Sequence, residues 1–116
     1  MKIVSAAVLL LCAAPAWAEP LPDGRYRGSD SGATLELLVK GKAASVNAVS
    51  GNCAGEVSGQ LSETGPGKWL ITAPAAPGES CKIRIERAGD GTLGLLEEMG
   101  CGYWHGASCS FDGTVR

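Results

Sequence analysis

Helix-compatible stretches, apolar runs of membrane-spanning length and aromatic side chains are all scarce in this 116-residue sequence. Seventeen glycines and six prolines leave few windows long enough for a three-turn helix. Each glycine costs about 1 kcal/mol in a helix interior and each proline about 3 kcal/mol, so a helical bundle is excluded. No apolar segment approaches the roughly 20 residues that a transmembrane helix needs, and a membrane-spanning helical protein is excluded as well. A single histidine provides no pair of imidazoles for a metal, and no glycine-rich phosphate loop is present. Positive charge is not in excess either, with ten Lys and Arg against twelve Asp and Glu. That balance argues against nucleic acid and against an anionic membrane surface as partners.

What the chain does have begins with a leader. Met1-Lys2 forms a short positive region, Ile3 to Ala14 is apolar apart from Ser5, and Ala16-Trp17-Ala18 presents small residues where a signal peptidase reads them. Residues 1–18 are therefore expected to be a signal peptide, and residues 19–116 a single domain exported to the periplasm or the medium. Removing Lys2 leaves nine basic against twelve acidic side chains, a formal charge of about −3. Cys12 lies within the leader and leaves with it. Leu11 precedes it where lipid attachment favours Gly, Ala or Ser, so a lipoprotein is disfavoured.

A domain of this size is marginal without covalent staples, and four cysteines remain to supply them: Cys53, Cys81, Cys101 and Cys109. An even count in a small exported domain reads as two disulfides with three possible connectivities. Zinc ligands usually come in pairs at two- to four-residue gaps, whereas the gaps here are 27, 19 and 7. No metal and no cofactor is expected.

Period-two alternation dominates between the turns. Short strands are expected around Gly24–Gly28, Leu35–Val39, Val46–Ala48, Cys53–Leu61, Trp69–Ala73, Cys81–Glu86, Thr92–Glu98 and Phe111–Val115. Lys40-Gly41-Lys42, Gly65-Pro66-Gly67 and Gly89-Asp90-Gly91 are turn signals, and Pro74 to Ser80 is a loop. The fold class is all-β: a small antiparallel up-and-down barrel of about eight strands, closed by pairing of the first with the last and filled by its own side chains. The same strands also fit an open two-sheet sandwich. In an up-and-down meander all four cysteines gather at one rim. The shortest pairing is Cys53–Cys81 with Cys101–Cys109, and the crossed pairing Cys53–Cys109 with Cys81–Cys101 stays open.

Three of the five aromatic residues beyond the leader, and the sole histidine, fall between Tyr103 and Phe111. A cysteine-bounded loop presenting Tyr103, Trp104 and His105 in a row is the candidate partner-binding site, with Glu97, Glu98 and Asp112 as an acidic flank. Tyrosine and tryptophan are frequent binding hot spots, and loops on rigid scaffolds often carry function. The structural alternative is that Trp104 plugs the barrel end and His105 satisfies backbone carbonyls. Ser108, Ser110 and the nearby carboxylates raise the question of nucleophilic catalysis. No nucleophile elbow accompanies them, and Glu97-Glu98 point to opposite faces of a strand and cannot flank one bond. The reading is of a non-enzymatic protein with no catalytic residues.

The segment from Cys101 to Arg116, with its Trp-His-Gly-Ala loop between two cysteines followed by Phe111-Asp112-Gly113 and a final arginine, resembles small exported bacterial proteins of the periplasmic lysozyme-inhibitor type. Size, leader, paired cysteines and barrel resemble the C-type lysozyme inhibitors. Those inhibitors enter the enzyme cleft with a Ser-Gly-rich loop followed by a tyrosine. Ser50-Gly51 and Ser58-Gly59 lack that tyrosine here, so no inhibitory residues carry over. The resemblance implies a binding protein directed at lysozyme or another basic cell-wall hydrolase. The alternative is an envelope- or glycan-binding module that uses the Tyr-Trp-His loop.

Overall fold

The computed structural model describes residues 20–30, 33–106 and 109–116; the expected leader, residues 1–18, lies outside the described residues. Eight strands follow one another in sequence order: β1 (Gly24–Asp30), β2 (Ala33–Lys40), β3 (Ala43–Ser50), β4 (Cys53–Gly65), β5 (Lys68–Pro74), β6 (Ser80–Arg87), β7 (Leu93–Glu97) and β8 (Gly113–Val115). A single helical turn, α1 (Gly102–His105), separates β7 from β8. Each strand pairs antiparallel with the next in a single sheet, so the meander is a nearly closed barrel and not a two-sheet sandwich.

Alternation decides which side chains fill it. Leu35, Leu37 and Val39 of β2, Val46 of β3, Val57 of β4, Ile71 of β5, and Ile83 and Ile85 of β6 all point inward and are buried. These side chains fill the interior with a packed core, as short strands favour. Trp69 and Leu21 fill the end opposite the cysteines, where the Arg87 guanidinium lies 4.9 Å over the indole. Tyr26 packs against the same core and donates its hydroxyl to Pro22 O at 2.5 Å; burial pushes its phenol above the ordinary range, partly offset by Arg87.

Closure is brief. Arg27 N–H donates to Arg116 O and Arg116 N–H to Arg27 O, both at 3.0 Å, and these two bonds join β1 to β8. The strands approach so closely there that a Cβ on Gly28 would sit 1.8 Å from Thr114 O, far inside any tolerable contact. Glycine at 28 is what lets the seam meet. Just above it Gly113 faces β2, where a Cβ would meet Leu35 Cδ2 at 2.9 Å.

The disulfides correct the pairing expected from the shortest spacings. The bridges are Cys53–Cys109 and Cys81–Cys101, with Cα–Cα distances of 5.9 and 4.4 Å. The physical reason is β5 and its register. It lies between β4 and β6 and pairs with β4 only over Gln60–Gly65, so Cys53 is two strands across and several residues along from Cys81, farther than the roughly 4.4–6.8 Å that a disulfide spans between Cα atoms. The chain leaving β7 instead continues beside its direct neighbour β6, where Glu98 N–H donates to Lys82 O at 2.7 Å, and Cys101 arrives at Cys81. The four cysteines do gather at one end, yet each bridge fastens the loop to a different strand.

Candidate functional site

The segment from Glu98 to Asp112 caps the cysteine end of the barrel. Cys101 begins the turn of α1, with Trp104 N–H donating to Cys101 O and Gly106 N–H to Gly102 O. The turn rests on β4 because Gly55 has no side chain. A Cβ there would lie 2.5 Å from His105 Cβ and 2.9 Å from His105 Cα.

Seated this way, the three consecutive residues point to different surroundings. Tyr103 is 65% exposed and meets Trp104 edge to face at 5.1 Å. Trp104 is half-buried against the core and donates its indole N–H to Pro74 O at 2.7 Å. His105 turns inward, its side chain only 8% exposed, edge to face with buried Phe111 at 4.9 Å. Both ring nitrogens of His105 face oxygen: Nδ1 contacts Gly106 O, and Nε2 lies 2.7 Å from Glu97 Oε2.

Glu97 is the centre of this packing. Its carboxylate, 15% exposed, accepts from Ser110 Oγ at 2.8 Å and from Phe111 N–H at 3.3 Å, besides meeting His105. Its own backbone N–H donates to Asp112 Oδ1 at 2.6 Å, and Asp112 N–H donates to Ser110 Oγ at 3.0 Å. Glu98 is directed away, at the surface, where it pairs with Arg84 at 3.3 Å. Of the expected acidic flank, Glu97 and Asp112 therefore brace the loop, and Glu98 lies at the open surface.

Serine, carboxylate and histidine do come together here, but in the order Ser110–Glu97–His105. A nucleophilic relay needs the imidazole beside the hydroxyl to take its proton. With the carboxylate in the middle, the cluster orients the loop and offers no such path. Among the described residues no group of three His, Cys, Asp or Glu side chains is arranged to hold a metal ion.

Sequence reasoning overlooked Met99, which is 89% exposed next to the bridge, and the bracing role of Ser110. The signal for Met99 was present: a large apolar residue directly before Gly100-Cys101, outside any alternating strand. No protein-family model, curated protein or solved structure matches the chain.

Proposed function

We propose that this is an exported, non-enzymatic binding protein that docks through its doubly stapled end onto a protein partner, a basic cell-wall hydrolase such as a lysozyme, and inhibits it. The observation that carries the reading is Tyr103, a large exposed side chain on the segment that disulfides fasten at Cys101 and Cys109, with exposed Met99 just before the first of these cysteines. A fixed loop loses little conformational freedom on binding, and exposed tyrosine and methionine are both enriched at the buried centre of interfaces. The net charge of about −3 beyond the leader favours encounter with a basic surface. Partial burial of Trp104 against the core, with its N–H committed to Pro74 O, favours this reading over a glycan-stacking platform built on that side chain. Capture of lysozymes and other wall hydrolases on the immobilised protein, followed by a hydrolase activity assay, tests the proposal. Tyr103→Ala is expected to weaken binding about thirtyfold at unchanged melting temperature, the cost of about 2 kcal/mol typical of a hot spot. Binding unaffected by both Tyr103→Ala and Met99→Ala would refute this docking face.

A further inference from the structure

Met99 is the one methionine beyond the expected leader, and among the described residues it is the most exposed large apolar side chain, at 89%. The backbone on either side of it explains why it stays out. Before it, Glu98 N–H donates to Lys82 O at 2.7 Å. After it, Gly100, at a φ of +94°, lies so close to β6 that a Cβ would sit 2.2 Å from Ser80 O, and Cys101 is bridged to Cys81. The groove beside Met99 is lined by Gly78, Glu79, Ser80, Lys82 and Glu98. Apart from Met99 itself, no large apolar side chain lines that groove among the described residues. The thioether has no seat there and projects into water.

Exposure governs how readily a side-chain sulfur is oxidised, and the other readily oxidised groups of the domain are shielded. Its four cysteines are all in disulfides. Trp69 is buried, and Trp104 is half-buried with its N–H bound to Pro74 O. Toward a peroxide, the Met99 sulfur is therefore the most accessible two-electron reductant on the described surface. The step with hydrogen peroxide balances simply. A sulfur lone pair attacks one peroxide oxygen, an S–O bond forms as the O–O bond breaks, and the attacking oxygen's proton passes to the departing hydroxide to give water. Sulfur is oxidised by two electrons to the sulfoxide, and the peroxide is reduced by two.

We propose that Met99 is the peroxide-oxidation site of this domain and that its conversion to the sulfoxide weakens the docking face. The second half rests on the docking reading given above. Oxidation turns a flexible apolar tip into a polar, chiral one. At the dry centre of an interface the sulfoxide oxygen is buried without a donor, which is costly, and the pinned backbone at Glu98 and Gly100 gives it no easy way to turn aside. The fold is spared, because a side chain so exposed adds little to the core. The change is therefore a switch of the surface and not oxidative unfolding. It is also reversible, since reductases, one for each sulfoxide epimer, return the thioether.

The test treats the folded protein with hydrogen peroxide and follows it by non-reducing peptide mapping, thermal unfolding and capture of the same lysozymes and wall hydrolases. One oxygen atom is expected on the peptide that carries Met99, with both disulfides intact and the melting temperature unchanged. Capture of the hydrolase is expected to weaken about tenfold. Met99→Leu keeps an apolar tip of similar size and is expected to bind as the parent does, before and after peroxide. Oxygen gained first at another residue, a lowered melting temperature, or equal loss of capture in peroxide-treated Met99→Leu would overturn the proposal. If the untreated protein captures a hydrolase and the sulfoxide form captures it as well, the switch alone falls. If the untreated protein captures none, the docking reading fails and the switch with it, while the peptide map still decides the oxidation site.

Discussion

Replacing Glu97 by alanine tests whether the Glu97 carboxylate holds the cap on the barrel. It removes the acceptor for Phe111 N–H and for Ser110 Oγ and the partner of His105 Nε2. Ser110 is exposed and regains water, so its bond counts for little. Phe111 is fully buried and the His105 side chain nearly so, and these two are left facing an apolar gap. Orphaning a buried polar group costs about 1–3 kcal/mol, and two are orphaned, so the variant should lose about 2–5 kcal/mol. At roughly 4–8 °C per kcal/mol for a domain of this size, that is a fall in Tm of at least about 8 °C. Glu97→Gln keeps an oxygen acceptor and a polar neighbour for the imidazole, and is expected to lose about 1–2 kcal/mol. The measurement is thermal unfolding at neutral pH by calorimetry and circular dichroism, with both disulfides confirmed intact by mass. If the alanine variant melts within about 3 °C of the parent, below the shift that 1 kcal/mol produces, the carboxylate is a bystander and the cap is held by the bridges alone.

Non-reducing peptide mapping should link Cys53 to Cys109 and Cys81 to Cys101. On chain entropy, the bridges closing separations of 56 and 20 residues contribute about 4 and about 3 kcal/mol, so Cys53→Ala/Cys109→Ala should lower Tm more than Cys81→Ala/Cys101→Ala does. Gly55→Ala drives a methyl group against His105 and should cost about 1–3 kcal/mol by overpacking, with Tyr103 fluorescence and loop amide shifts changing while the far strands stay as they were. Asp90 accepts the hydroxyl of Thr92 at 2.7 Å and the Thr92 N–H at 3.0 Å, which holds its carboxyl below the ordinary carboxylate value of 3.8. A depressed pKa stabilises the folded state above the unfolded value, and the gain is lost as pH falls through the folded value. Asp90→Ala should therefore melt below the parent at neutral pH, and the gap should close as the medium is acidified below 3.8; a gap independent of pH would show that the turn owes nothing to the charge.

The strands were legible because alternation is enforced at every second residue once one face is buried. Leu35-Leu37-Val39 and Cys81-Ile83-Ile85 reveal their inward faces without any knowledge of the partner strand, and the turns at Gly41, Gly67 and Gly91 bound them. The rule stops where the ladder stops. Between Glu98 and Asp112 no periodicity says which way a side chain points, so the sequence leaves Trp104 and His105 open between a binding and a packing role, and the fold turns both of them in. The disulfide pairing failed for a related reason. Spacing along the chain favoured Cys53 with Cys81, but the strand that separates them matters more than the number of residues between them. Gly55 was read as part of a strand pattern; its role as the seat for α1 depends on a contact about 50 residues away in sequence.

All seven ladders of the sheet join strands that are neighbours in the chain, while its closure rests, among the described residues, on two hydrogen bonds between Arg27 and Arg116. Hairpins can zip in succession with little loop-closure entropy, whereas bringing β8 back to β1 is the one pairing of high sequence separation. Interactions that form after the rate-limiting barrier govern how fast a protein comes apart more than how fast it assembles. The seam is therefore where the lifetime of the barrel is decided, and the Cys53–Cys109 bridge, tying the C-terminal segment to β4, works there as a latch.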